Sequence, residues 1–342
     1  MKHSDGAPIE KGVVLTRDFL EKNQALFKRY LNHWMLNPDL FLDTIQTETD
    51  KKHFTLKPYQ RLMLRAVMRY RYVFFTATRA ASKSFCAYLG AYLKCMFLPN
   101  SNIFIASDIK GTVIKTAEAK FAEFFRHWPL LQNELKTQED DGKKGQKSSN
   151  SYYELNFKNG SKLTVIAKDT SRGLRATCGI FEEAMTIDEV NFNEVLVPQL
   201  NIPRRCADGS LNPEEPVSSQ IFITTARERT VFMYSKLIEV TINAVLYPKS
   251  YFSFGVSYEA PLYYGVINKQ MLIDQRDSTT VSDEAFLREN LSVYTGNNAE
   301  AWLDSKKLNK RRTLLKCERA ASFNEKNPDA FYIFGVDICL AC

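Results

Sequence analysis

The chain has 342 residues, 44% of them apolar, and a formal net charge of +7. That length suits one large or two modest domains with a sizeable core, and no apolar run approaches the roughly 20 residues that span a bilayer. The N-terminus lacks the apolar stretch of a secretory signal. The seven cysteines show no metal-ligand pairing beyond an isolated Cys339/Cys342 C-x-x-C spacing, and are read as reduced thiols of an intracellular protein.

Residues 16–36 repeat apolar side chains at helical spacing and predict an amphipathic helix capped near Thr16. A second helical pattern runs through "PYQRLMLRAVMRYR". Apolar strand-like runs then alternate with helical ones. "YVFFTA" precedes "SKSFCAYLGAYLKCMF", and "NIFIAS" precedes "KGTVIKTAEAKFAEFFRHW". "KLTVIA", "CGIFEEA" and "QIFITTA" follow. Strands separated by helices predict an α/β fold with a mainly parallel sheet flanked by helices. The polar stretches 136–151 and 204–219 read as surface loops. The aromatics between 245 and 265 fit buried strands, and 284–297 has the pattern of an amphipathic helix.

The stretch Ala77, Thr78, Arg79, Ala80, Ala81, Ser82, Lys83, Ser84 follows an apolar run and opens a helical one. It ends in Lys-Ser, like a phosphate-binding loop. In such a loop backbone N–H groups and a helix N-terminus cradle the phosphates. The lysine reaches the β/γ-phosphates and the hydroxyl binds Mg²⁺. Both framing glycines are missing: Ala77 and Ser82 stand in their places. Either would be strained by about 1–2 kcal/mol if it needed a positive φ. Alone, the string also fits a plain helix start. Glu182 and Glu183 close a later strand, where one carboxylate can assist the metal and the next polarise the attacking water. An acidic pair opening a helix is the alternative. Thr224, Thr225 and Ala226 close the strand after that. Three motifs at successive strand ends match one nucleotide site, because ligands of open α/β sheets bind at the carboxyl ends of strands.

On these residues the chain resembles the large terminase subunit of tailed bacteriophages, the ATPase motor that packages DNA. The resemblance covers roughly residues 50–342 and includes "NGSKLTVIAKDTSRGLRATCGIFEEA". It implies a P-loop NTPase of the ASCE type that binds ATP and Mg²⁺. Tyr59 and Gln60 match the adenine-side motif, and Arg79 the arginine of a deviant Walker A. Glu182, in place of the usual aspartate, and Glu183 match the Walker B. Thr224 to Ala226 match the coupling motif. Arg172 is the candidate arginine finger acting on a neighbouring subunit's ATP, with Arg175 and Arg79 as competitors. Arg79 could instead contact phosphate from within its own loop.

The resemblance further implies a helical segment at 1–50, an ATPase core at 51–260, a helical linker at 261–328, and the first strand of an RNase H-like nuclease at 329–342. Asp337 matches that nuclease's first metal-binding carboxylate. A two-metal nuclease needs several convergent carboxylates, so no nuclease activity is expected of this chain, which is read as a fragment or truncated product. The implied partners are double-stranded DNA gripped through its backbone, a portal protein, a small terminase subunit, and further copies in a ring on the procapsid. The place is the host cytoplasm, with no membrane. The basic run 306–319 fits DNA phosphates or a solvated helix face. Two other functions fit the same motifs: another nucleic-acid-stimulated P-loop ATPase such as a helicase, or a non-catalytic product that only binds partners.

Overall fold

The computed structural model describes residues 21–46, 54–107, 112–137, 145–149, 152–167, 173–213, 215 and 218–296. Thr16, Arg172, the basic run 306–319 and Asp337 lie outside the described residues. Residues 1–295 form one compact unit and 296–342 another. Every element named here belongs to the first.

Among the described residues three helices come first: α1 (Gln24–Leu36), α2 (Pro38–Ile45) and α3 (Pro58–Arg69). Arg61, Arg65 and Arg69 follow one another at four-residue spacing and so share a face of α3. Arg65 donates to both oxygens of Asp39 at 2.7 Å, and Arg61 bonds Asp39 at 3.2 Å and Asp43 at 2.6 Å. Arg69 donates to the Leu36 carbonyl at 2.7 Å. The Asp39 side chain is fully buried. Burial alone would raise its carboxyl, but the hydrogen bonds and charges of Arg65 and Arg61 together outweigh that and hold it below the usual carboxylate range.

A carboxyl whose folded pKa is depressed stabilises the fold above its unfolded pKa, and that contribution is lost as pH falls through the folded value. Asp39→Asn should therefore destabilise the chain at neutral pH and have less effect in acid below the ordinary aspartate range. Removing one partner of a buried ion pair costs about 3–5 kcal/mol. Water still reaches both guanidinium groups, so the lower end of that range is expected. Denaturant unfolding at two pH values checks it.

Eight strands make one sheet: β1 (Tyr72–Ala77), β2 (Asn102–Ser107), β3 (Gln146–Ser148), β4 (Tyr152–Asn156), β5 (Lys162–Ala167), β6 (Cys178–Glu182), β7 (Ser219–Thr224) and β8 (Tyr251–Val256). Their spatial order is β3-β4-β5-β2-β6-β7-β1-β8. Every neighbouring pair from β5 to β8 is parallel, and β3 and β4 pair antiparallel at one edge. The predicted parallel α/β architecture is thus present. Its central strands read as unbroken apolar runs because both faces are covered. The predicted loop 136–151 contains β3, a strand of three residues with too little pattern to show.

Alternation along the strands feeds two cores. Phe74, Phe104, Phe181 and Phe222 point to one face, beside α6 (Phe232–Leu246). Val73, Phe75, Ile105, Ile180 and Ile223 point to the other, beneath α4 (Lys83–Phe97) and α5 (Thr112–His127). A β-carbon at Gly90 would lie 2.9 Å from Val67 Cγ1, so glycine there lets α4 approach α3. The aromatics near β8 are half-buried rather than buried, because β8 is an edge strand. Among the described residues three short α-helices follow β8: α7 (Glu259–Tyr263), α8 (Lys269–Asp277) and α9 (Asp283–Glu289).

Candidate active site

The register brings the three sequence motifs to one height. Thr76 of β1 lies opposite Thr224 of β7, and Glu182 of β6 lies opposite Ile223. The threonine strand therefore separates the loop strand from the carboxylate strand. β1 ends at Ala77, the chain turns through Thr78–Ser82, and α4 begins at Lys83. The first N–H groups of that helix have no intrahelical acceptor and carry the positive end of its dipole. This suits an anion such as a phosphate.

The side chains meet in the same place. Lys83 Nζ lies 3.6 Å from Glu183 Oε1. The Thr225 hydroxyl donates to Glu183 Oε2 at 3.4 Å. The Thr224 hydroxyl donates to the Thr225 carbonyl at 2.9 Å and accepts from the Met185 N–H at 3.4 Å, tying the end of β7 to the turn after Glu183. Lys83, Thr224 and Thr225 are buried, and Ala226 is fully so. The Glu183 side chain keeps 39% of its surface exposed. Glu182 has a different partner: its carboxylate is buried and accepts from the Tyr88 hydroxyl at 2.9 Å. Burial first, and then the Glu182 charge and hydrogen bond, push the Tyr88 phenol well above its ordinary range, so it stays a donor.

The missing glycines leave a mark. Ser82 adopts φ +61° and Ala80 φ +59°, a left-handed conformation that costs about 1–2 kcal/mol per residue with a β-carbon. The expected strain thus falls on Ser82, but not on Ala77. Ala77 closes β1 as an ordinary strand residue, and Ala80 carries the second left-handed turn. Glu183 is left-handed too, at φ +46°. Strained residues persist where the surroundings over-determine them, commonly at sites of function. Here Ala80 and Ser82 lie in the loop that leads into Lys83, and Glu183 is the residue Lys83 pairs with.

Tyr59 and Gln60 open α3 and are both buried. The Gln60 carbonyl oxygen accepts from the Lys57 N–H at 2.8 Å. Burial pushes the Tyr59 phenol up to about 12, with the neighbouring Cys86 adding to the rise and the Ser82 hydroxyl opposing it. The Tyr59 hydroxyl is buried without a hydrogen-bond partner among the described residues. The predicted helix 284–297 stops at Glu289. The chain then turns back across the strand ends. The Glu289 carbonyl accepts from the Thr78 hydroxyl at 2.8 Å and the Arg79 N–H at 3.2 Å, and its carboxylate pairs with the Arg79 guanidinium. Tyr294 shares a 2.7 Å hydrogen bond with Thr76. Arg79 therefore faces Glu289 in its own chain. Arg175 is elsewhere: it precedes β6 and lines a cavity of about 400 Å³ with Asn102, Thr177 and Arg205, at the amino ends of the strands.

Sequence reasoning missed Tyr88, Glu289 and Tyr294. Only Tyr88 carried a signal, its four-residue spacing from Ser84.

No known family profile matches the chain, and no curated protein matches it in sequence. Solved structures do. The large terminase of a thermophilic bacteriophage matches with a TM-score of 0.50 at 11% identity, covering 71% of this chain and 54% of that one. The Thermus phage P74-26 large terminase ATPase domain gives 0.47 at 15% identity, covering 68% and 93%. The HK97 bacteriophage large terminase gives 0.48 at 13%, covering 86% and 53%. The chain spans about half the length of the thermophilic phage's protein and of the HK97 protein. Identities this low speak to fold, and of these three the likeness to the thermophilic phage's terminase carries that argument. With its parallel sheet, its Lys-Ser loop opening α4 and its intervening threonine strand, the chain shares the α/β P-loop NTPase fold of the phage large terminases.

Proposed function

We propose that the chain hydrolyses ATP as the motor part of a viral DNA-packaging terminase. The observation that carries this is the convergence of Lys83, Glu183 and Thr225, from three separate motifs, within 3.6 Å contacts at the mouth of a helix N-terminus. The thermophilic bacteriophage's large terminase, whose fold the chain shares, is known in complex with ADP, and the same class of ligand fits here. Tyr59 and Gln60 stand on the adenine side. Backbone N–H groups from Ser82 to Ser84 cradle the phosphates, those of Thr78, Arg79 and Ala81 being held by the carbonyls of Val256, Glu289 and Thr78, and Lys83 neutralises the β/γ end. Glu183 orients the attacking water and takes its proton. Thr224, Thr225 and Ala226 connect the carboxylate turn to β7, so a change at the γ-phosphate is felt along that strand.

The Ser84 hydroxyl and the Glu182 carboxylate supply oxygen donors of the kind Mg²⁺ prefers. They fit a shared ion because Tyr88, one helical turn from Ser84, touches Glu182. Bound there, the ion would neutralise charge on the phosphates. Arg172 is the proposed arginine finger for a neighbouring subunit's ATP, and Arg175 the alternative. Arg79 would leave Glu289 for phosphate when nucleotide arrives. An exposed pair of this kind is worth about 0.2–1 kcal/mol. Glu289→Gln should therefore raise ATP affinity by no more than about fivefold, measured by equilibrium titration.

The proposed partners follow from the same reading: double-stranded DNA held through backbone charge, a portal protein, a small terminase subunit and further copies of this chain in a ring on a procapsid in the host cytoplasm. No described helix is long and apolar enough to cross a membrane. The test is ATP turnover by the purified chain across protein concentration, with and without double-stranded DNA. Turnover per subunit that rises with concentration is expected, because a finger supplied in trans needs neighbours. Absence of both nucleotide binding and turnover at every concentration overturns the proposal.

A further inference from the structure

Tyr88 lies four residues after Ser84 on α4, so the two side chains share a face of the helix. The phenol ring is fully buried. It is held from α5 by Phe121, with ring centroids 5.9 Å apart, and by Lys120, whose ammonium lies 5.7 Å from the ring centroid. That packing fixes where the hydroxyl points: at Glu182 Oε2, 2.9 Å away. Among the described residues no other side chain hydrogen-bonds the Glu182 carboxylate.

Glu182 is one methylene longer than the aspartate usual at such a strand end. The extra rotatable bond lets its carboxylate swing, and a buried carboxylate without a donor is costly. A rigid donor at the right depth removes both problems. Hydrogen-bonded neighbours of metal-ligating carboxylates do this in metal sites generally.

We propose that Tyr88 is a positioning residue that fixes the Glu182 carboxylate for a divalent cation shared with Ser84. The proposal rests on the nucleotide-site reading above. Its consequence is specific: Tyr88 sets the affinity for the cation, and leaves binding of the metal-free nucleotide unchanged.

A fluorescent ADP analogue tests this, titrated in EDTA and then across Mg²⁺ concentration. Tyr88→Phe keeps the ring and its packing. It should bind the analogue in EDTA as wild type does, while the Mg²⁺ concentration for half the gain in affinity rises about tenfold, the lower end of the 10–100-fold typical of such neighbours. Tyr92→Phe is the control. That hydroxyl lies on the same helix, equally buried, and donates to the Leu131 carbonyl at 2.6 Å, so its loss should leave the Mg²⁺ response unchanged. In a Glu182→Asp background the carboxylate recedes by about 1.5 Å, beyond the hydroxyl, and adding Tyr88→Phe should change nothing further.

An unshifted Tyr88→Phe midpoint overturns the proposal. So does an equal shift in Tyr92→Phe, or full additivity with Glu182→Asp. Failure of the underlying site reading looks different: wild type itself would show no Mg²⁺-dependent gain, or Lys83→Ala would bind the analogue as well as wild type. The assignment of Tyr88 then falls with it.

Discussion

Glu183→Gln is expected to lower ATP turnover by about 10²–10⁴-fold, the usual contribution of a positioned general base, while ATP binding stays close to that of wild type. Glutamine keeps the size of the side chain and can still meet Lys83 and Thr225, the two groups that touch the carboxylate now. It removes the charge that polarises water. Glu183 is suited to the role by its exposure of 39%, whereas Glu182 is buried against Tyr88. Its left-handed backbone, at φ +46°, turns the chain sharply after β6, so two adjacent carboxylates face different partners. Steady-state turnover and equilibrium binding, measured on the same preparation, separate a lost base from a lost site. Turnover within threefold of wild type would remove Glu183 from the chemistry.

Lys83→Ala should act on binding as well as turnover. A hydrogen bond to a charged group contributes about 1.5–3 kcal/mol, so ATP affinity should fall roughly 10–150-fold and hydrolysis with it. The amine lies at the first residue of α4, buried at the floor of the loop. Its reach is to the β/γ end of the nucleotide, so AMP affinity should change little. That comparison distinguishes a missing charge from a collapsed loop, which would weaken ATP and AMP together. Truncation also strips Glu183 of its ion-pair partner. Because Glu183 is partly in water, this second effect is small.

The elements of the fold were legible because their signals are local. β1, β2 and β5 fall where the apolar runs "YVFFTA", "NIFIAS" and "KLTVIA" place them. A fully buried parallel strand must be apolar along its length. The order Lys-Ser, Glu-Glu, Thr-Thr could likewise be read from the chain, since each motif sits at a strand end. β3 was hidden by its three residues, and the helix after 284 was over-extended because its amphipathic pattern continues past the point where the chain turns.

Composition and periodicity by themselves determined an α/β chain with a Lys-Ser loop and acidic and threonine-rich strand ends. Tertiary structure decided that β7 lies between the loop and carboxylate strands, that Ala80 rather than Ala77 takes the strained turn, and that Arg79 faces Glu289. It also decided that Glu182 faces Tyr88. Helix and strand periods repeat within a few residues and are written in the neighbours of each position. Glu182 and Tyr88 stand 94 residues apart, and Arg79 and Glu289 210. Such partners meet only once the sheet order and register are fixed, because burial of both faces, and no local pattern, chooses which strands adjoin.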